Sequence, residues 1–216
     1  MAQQILTLDE QIKATFAEEI TTTLSLAVSL HDDFTNRRPI GKIKVSLKEQ
    51  ERQAIQNLSG YYIFTDIEDG AYTIQVTSDY YFDEEEEVML PLSDPKNPVV
   101  DITLKPMPFY PFPPGATLIK GMVKDLEEQP ISGAMVKVLN KEIENQTTGK
   151  GEFVLYFTGL TEEDVIKVNK KRFVKGNGNP ILVLETTHPD YRRKRVQIEV
   201  EESKTTSTFI ENIQPQ

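Results

Sequence analysis

The chain is 216 residues long, with 38% hydrophobic and 27% charged residues, a balance that suits one or two globular domains. It has no cysteine, which excludes disulfide frameworks, thiolate nucleophiles and thiolate metal sites. The formal net charge of −10 lies wholly in residues 1–105, with 19 acidic against 9 basic side chains, while residues 106–216 carry 15 of each. That asymmetry argues against nucleic acid or an anionic membrane as partner of the first half.

Residues 1–21 read as an N-terminal arm or short helix. Thr7 and Glu10 have capping-box spacing, and Ile12, Phe16 and Ile20 recur every four residues. From Thr22 the period becomes two. Leu24, Leu26, Val28 and Leu30 alternate with polar or small residues, as a half-buried strand requires, and Ile43, Val45 and Leu47 repeat the pattern. Asp69-Gly70 reads as a tight hairpin turn, and Tyr72, Ile74 and Val76 follow it. The acidic run Asp83–Glu87 reads as a solvated turn, and strands near Val88–Leu92 and Val99–Leu104 complete a first β-sandwich over 22–105.

Residues 106–115 interrupt the pattern. Prolines at 106, 108, 111, 113 and 114 remove five amide donors, so the stretch reads as a semi-rigid polyproline linker. A second β-sandwich is expected over 116–216. Pro130, Val136 and Gly151 each stand 91 residues after Pro39, Val45 and Gly60, which points to an internal duplication. Tyr191 stands 111 after Tyr80, so the second copy carries about 20 extra residues, assigned to a long exposed loop at 158–180. The expected fold class is all-β: two tandem seven-strand antiparallel β-sandwiches of Ig-like or transthyretin-like form.

Four motifs of the second half carry a resemblance. They are Gly121–Asp125, Gln129–Ala134, Thr147–Phe153 and His188–Tyr191. Together they resemble the carboxypeptidase regulatory-like family, whose members are transthyretin-like β-sandwiches. Residues 22–105 resemble it more loosely, through Arg38–Gly41, Ser59–Tyr61 and Asp69–Tyr72. The resemblance implies an accessory, spacing or docking module; fold alone does not deliver function.

No catalytic constellation is visible, and no cofactor or metal site is expected. The two histidines, His31 and His188, fall at strand ends in different halves. Five adjacent carboxylates at Asp83–Glu87 point alternately to opposite faces and do not converge on one cation. Three features are candidate partner-binding sites. Phe109, Tyr110 and Phe112 in the linker either wedge between the sandwiches or form an exposed anchor. Asp83, Glu84 and Glu85 follow Tyr80 much as Arg192, Arg193, Lys194 and Arg195 follow Tyr191, so equivalent edges carry opposite charge. They are either solvated hairpins or complementary docking edges between copies. Asn57-Leu58-Ser59 and Asn145-Gln146-Thr147 match the glycosylation pattern, discounted for want of a secretory signal.

The function expected is a non-enzymatic structural or adaptor subunit of a larger protein assembly, with protein partners or other copies of itself. The start of the chain lacks signal-peptide character and no apolar run is long enough to insert in a membrane, so a cytoplasmic location is expected, including a particle released by lysis. A cap, adaptor or decoration role in a phage-tail-like contractile injection particle fits that look. The alternative is a carbohydrate- or cell-surface-binding module, against which the absence of Trp counts.

Overall fold

The computed structural model describes residues 22–94 and 96–215, apart from the side chain of Asn212. The stretch 1–21 lies outside the described residues. The first eight strands are β1 (Leu24–Asp32), β2 (Ile43–Leu47), β3 (Arg52–Gln53), β4 (Ile55–Gln56), β5 (Tyr62–Thr65), β6 (Gly70–Ser78), β7 (Glu84–Leu90) and β8 (Val99–Leu104). They form two four-stranded sheets, β4-β5-β1-β8 and β3-β2-β6-β7. The expected alternation closes the core between them: Leu26, Val28 and Leu30 of β1 face Val45, Leu47, Ile74 and Val76 of the other sheet's strands. Each such side chain withdraws apolar area from water at about 25 cal/mol per Å².

The second set is β9 (Thr117–Asp125), β10 (Met135–Val138), β11 (Ile143–Gln146), β12 (Glu152–Phe157), β13 (Val165–Val168), β14 (Lys171–Val174), β15 (Ile181–His188), β16 (Tyr191–Glu199) and β17 (Thr205–Ile213). Its sheets are β12-β9-β17 and β11-β10-β15-β16, with β13-β14 as a separate hairpin. A second core, built on Ile119, Val136, Phe153, Leu155, Leu184 and Ile210, lies between them.

The two sandwiches share a topology. In each, the first strand pairs antiparallel with the strand that follows the Ser59-Gly60 or Lys150-Gly151 turn, and parallel with the last strand. All other pairings are antiparallel. Registers refine the duplication. Val45 pairs Val76 and Val136 pairs Thr186, so the second halves are offset by 110 (186 − 76). The counterpart of Tyr191 is therefore Tyr81, not Tyr80. Both make an isolated bridge to the proline after the last strand, Pro106 and Pro215.

Three local expectations change. Asp69-Gly70 does not turn a hairpin, because β5 and β6 lie in different sheets and the chain crosses between them there. The 158–180 stretch is not a bare loop: β13 and β14 pair within it, turning at Asn169 and Lys170, both at positive φ as a type I′ turn needs. Asp83–Glu87 and Arg192–Arg195 are not turns, since they run into or along β7 and β16. Among the described residues no helix is long and apolar enough to cross a membrane.

Candidate functional site

The joint between the sandwiches is built from buried polar and aromatic groups. Asp32 ends β1 on the same face as Leu26, Val28 and Leu30, so its carboxylate is carried into the core, 1% exposed. Such a charge needs full hydrogen bonding. Its Oδ1 accepts from the backbone N–H of Phe34 at 2.8 Å and of Thr35 at 3.2 Å. Its Oδ2 accepts from the hydroxyls of Tyr81 at 2.9 Å and Tyr110 at 2.6 Å. Tyr81 in turn accepts the Ile40 N–H at 3.0 Å, so its hydroxyl is used in both directions.

Tyr110 comes from the proline stretch, and it is buried in the first core. The Met107 N–H donates to Tyr80 C=O and Phe82 N–H to Lys105 C=O, so the segment continues from β8 along the first sandwich. Two residues on, Phe112 lies 5.0 Å from Phe34 and 5.8 Å from Tyr156, ring centre to ring centre. Phe34 and Tyr156 stack edge-on at 5.7 Å. The Tyr156 hydroxyl donates to Asp33, so two adjacent aspartates bind tyrosines of both sandwiches and the linker.

Polar bonds close the rest of the joint. Asn145 is fully buried, and its Nδ2 donates to Pro106 C=O at 2.9 Å and Val154 C=O at 3.1 Å. Lys120 Nζ donates to Pro108 C=O at 2.6 Å and sits over the Phe112 ring. Burial lowers the Lys120 amine from its ordinary range. Burial pushes the Tyr110 hydroxyl up to about 12, with the bond to Asp32 acting in the same direction. Tyr81 and Tyr156 are raised further, again first by burial. All three hydroxyls stay protonated donors at neutral pH.

The linker aromatics thus divide. Tyr110 and Phe112 touch the chain itself, whereas Phe109 is 55% exposed. It borders a shallow groove of about 350 Å³ that also takes in Met122 and Phe209. Asn145, read as part of a glycosylation pattern, is inaccessible in the folded chain; Asn57 is exposed.

The two charged runs lie on equivalent edge strands, β7 and β16. Glu84 pairs Val76 and Lys194 pairs Thr186, so Glu84 and Lys194 are counterparts at the same 110 offset (194 − 84). Glu85 bonds Lys48 at 3.0 Å and the Gln75 amide at 3.2 Å. Desolvation raises the Glu84 carboxyl above its usual range. Arg195 and Arg193 reach Glu185 at 2.6 and 3.6 Å, and Lys137 reaches it at 3.1 Å. The Arg195 bond leads in holding Glu185 below the usual carboxylate range although it is almost fully buried. Arg192 bonds the Gln214 side chain at 3.3 Å. Asp83 is exposed before β7.

Among the described residues, a Ser, a His and an Asp come together on the first sandwich without the geometry of a relay. Ser29, His31 and Asp101 meet on the outer face of β1 and β8, so His31 lies within β1, one residue from its end. Yet Ser29 Oγ at 3.0 Å and Asp101 Oδ1 at 3.1 Å contact the same nitrogen, Nε2. A relay needs nucleophile and carboxylate on opposite ring nitrogens. His188 stacks on Tyr191 and accepts the Asp190 N–H at 3.1 Å. No group of three or more His, Cys, Asp or Glu suited to a metal occurs among the described residues.

Asp32 and Asp33 read in the sequence as a solvated acidic pair without a role, which the burial of Asp32 corrects, and Phe34 and Tyr156 carry no signal there. Only the phase of Asp32, two residues beyond Leu30 on an inward face, carried a signal.

No family model and no curated protein matches the chain. The carboxypeptidase regulatory-like resemblance therefore rests on its motifs alone. Solved structures aligned with it include the Bacillus anthracis TIE protein, at 9% identity and TM-score 0.32 over 89% of this chain and 34% of that one. GBS52, the minor pilin of Streptococcus agalactiae, aligns at 13% identity and TM-score 0.30 over 87% of this chain and 95% of its own. The shaft pilin SpaA of Lactobacillus rhamnosus GG gives 10% and 0.29 over 89% and 98%. At scores this low the likeness carries nothing about function.

Proposed function

We propose that this chain is a non-enzymatic structural subunit, a two-module strut that sets a fixed angle between its sandwiches within a protein assembly. The observation that carries the reading is the joint. A mere tether would be hydrated, but here a proline-rich segment is anchored in the first core through Tyr110 and against the second sandwich through Phe112, Pro106 and Pro108. Adjacent modules move relative to one another by default unless such contacts fix them. The test is small-angle scattering with residual dipolar couplings on the native chain. One inter-module orientation is expected; independent tumbling of the two sandwiches overturns the reading.

The finer placement, as cap, adaptor or decoration component of a phage-tail-like contractile injection particle, belongs to the same proposal and is tested by co-purification with particles from the native source. A second reading, a carbohydrate- or cell-surface-binding module, is favoured by one observation: Phe109 and Phe209, both exposed, flank the same groove. Loss of glycan or cell binding on changing both to Ser would support it.

A further inference from the structure

We propose that the open edge of β7 in one copy pairs with the open edge of β16 in a second copy, joining the first sandwich of one chain to the second sandwich of the next. The inference rests on the structural-subunit reading and names its partner.

Hydrogen-bond phase comes first. Asp79 N–H donates to Lys42 C=O and Ala54 N–H to Val45 C=O, so residues 75 and 77 of β6 bond β2, while Thr73 N–H on the same side donates to the Glu49 carboxylate. Ile74 and Val76 therefore bond Glu86 and Glu84, and Glu85, Glu87 and Met89 turn their backbone groups to the free edge. In the second sandwich, Leu139 N–H donates to Val183 C=O, which sets Val183 and Glu185 towards β10. Leu184 and Thr186 then bond Val196 and Lys194, leaving Arg193, Arg195 and Gln197 to face the free edge.

Face and charge agree with that phase. Val88 and Leu90 point into the first core and Val196 and Ile198 into the second, so the side chains of Glu85, Glu87, Arg193 and Arg195 share the outer face. An antiparallel pairing with Glu85 opposite Arg195 and Glu87 opposite Arg193 brings backbone groups of matching phase together. It also sets Glu86 opposite Lys194 on the inner face, giving three opposite-charge pairs where residues 84–87 lie along residues 193–196; before Arg193 the edge is taken by the chain itself, since Arg192 N–H donates to Gln214 C=O and Tyr191 bridges Pro215. Sliding by two residues keeps the phase, but one way it runs β7 onto Tyr191 and Arg192, which the chain's own end already bonds, and the other way it leaves Glu87 with Arg195 as the single opposite-charge pair. The side chains reach solvent while paired within their own sandwich: Glu85 with Lys48, and Arg193 and Arg195 with Glu185, are 46%, 62% and 56% exposed, so a second copy would share these charges.

Charged edges ordinarily block sheet-to-sheet association. Here each edge repels its own kind, since β7 on β7 sets carboxylate against carboxylate and β16 on β16 sets cation against cation. Only the mixed contact is left. That contact is heterologous, so it builds a ring or an open column, or a dimer if both edges engage at once.

The test uses the absence of cysteine in the chain. Glu87→Cys and Arg193→Cys are made separately in the full chain. Mild oxidation of the mixture is expected to give a mixed disulfide dimer, with far less of either homodimer. Sedimentation of the native chain is expected to show association that weakens as salt rises from about 0.05 to 0.5 M. Reversing Arg193, Lys194 and Arg195 to Glu weakens it by about ten- to a hundredfold, and adding Glu85, Glu86 and Glu87→Lys in the same chain restores it. Homodimers as abundant as the mixed disulfide overturn the pairing. Association indifferent to both reversals also overturns it, while the fixed joint measured by scattering leaves the strut reading standing. A chain monomeric at low salt and high concentration overturns the pairing outright.

Discussion

Tyr110 donates its phenolic hydrogen to Asp32 Oδ2 across 2.6 Å, from 78 positions further along the chain. A buried charge, a strand end and a proline segment meet in that one bond. A hydrogen bond to a charged group contributes about 1.5–3 kcal/mol, so Tyr110→Phe should lower the stability of the first sandwich by about that much in urea unfolding. Tyr61→Phe, at an exposed ring, should stay within about 0.5 kcal/mol. Equal effects would remove Asp32 from its place as the organising group of the joint.

Alkaline titration gives a second test. Tyr81, Tyr110 and Tyr156 have folded-state pKa values raised above the ordinary tyrosine range, Tyr110 to about 12. A raised pKa means the protonated form favours the fold. That contribution is complete below about pH 10, the unfolded value, and is lost as pH rises through about 12. Phenolate absorbance should therefore leave these three, and Tyr62, which burial also raises, un-ionised until the fold opens. Smooth titration of all eight tyrosines at ordinary pH with the fold intact would contradict the buried geometry.

The aromatic contact between sandwiches is separable from the stability of either. Phe112→Ser with Tyr156→Phe removes the packing of Phe112 on Phe34 and Tyr156 and the bond to Asp33, keeping only the edge-on contact of Phe34 with the ring at 156. Scattering should show a wider spread of dimensions while strand-type circular dichroism persists. An unchanged profile would mean that the Asn145 and Lys120 bonds to the linker suffice together with the remaining Phe34 ring contact.

Gly151 and Gly133 offer an internal comparison, since both sit near φ +70°. A side chain at that φ costs roughly 1–2 kcal/mol. A Cβ at Gly133 meets nothing within 4 Å, so Gly133→Ala should cost only that. At Gly151 a Cβ would lie 2.6 Å from Val123 C=O, so Gly151→Ala should cost distinctly more in thermal unfolding. Equal losses would mean that the turn relaxes freely.

The alternation of Leu26, Val28 and Leu30 made β1 and its inward face legible, because period two is a local property of strands. The same phase reaches Asp32, yet a carboxylate reads as surface until its partners are known. Those partners, Tyr81 and Tyr110, lie 49 and 78 residues away, and no local pattern reports such a distance. Asp69-Gly70 misled for a related reason: it permits a tight reversal but does not say whether the chain stays in one sheet or crosses to another. The charged runs read as turns because hydration and strand pairing make opposite demands only on a strand's inner face. On an outer edge a charge satisfies both. The proline stretch was legible as rigid, but its burial was not, since Tyr110 and Phe112 are equally suited to either fate.

The parallel pairing of first and last strands has a mechanical consequence. β1 runs alongside β8 over six residue pairs, and β9 alongside β17 from Thr205 to Ile213. Tension applied at the two ends of either sandwich pulls such a pair in opposite directions along its own axis. The load then falls on the evenly spaced cross-strand bonds together instead of one after another. Pulled from its two ends, the chain would meet stretching as two shear clamps in series, each having to slide as a unit before the chain could lengthen.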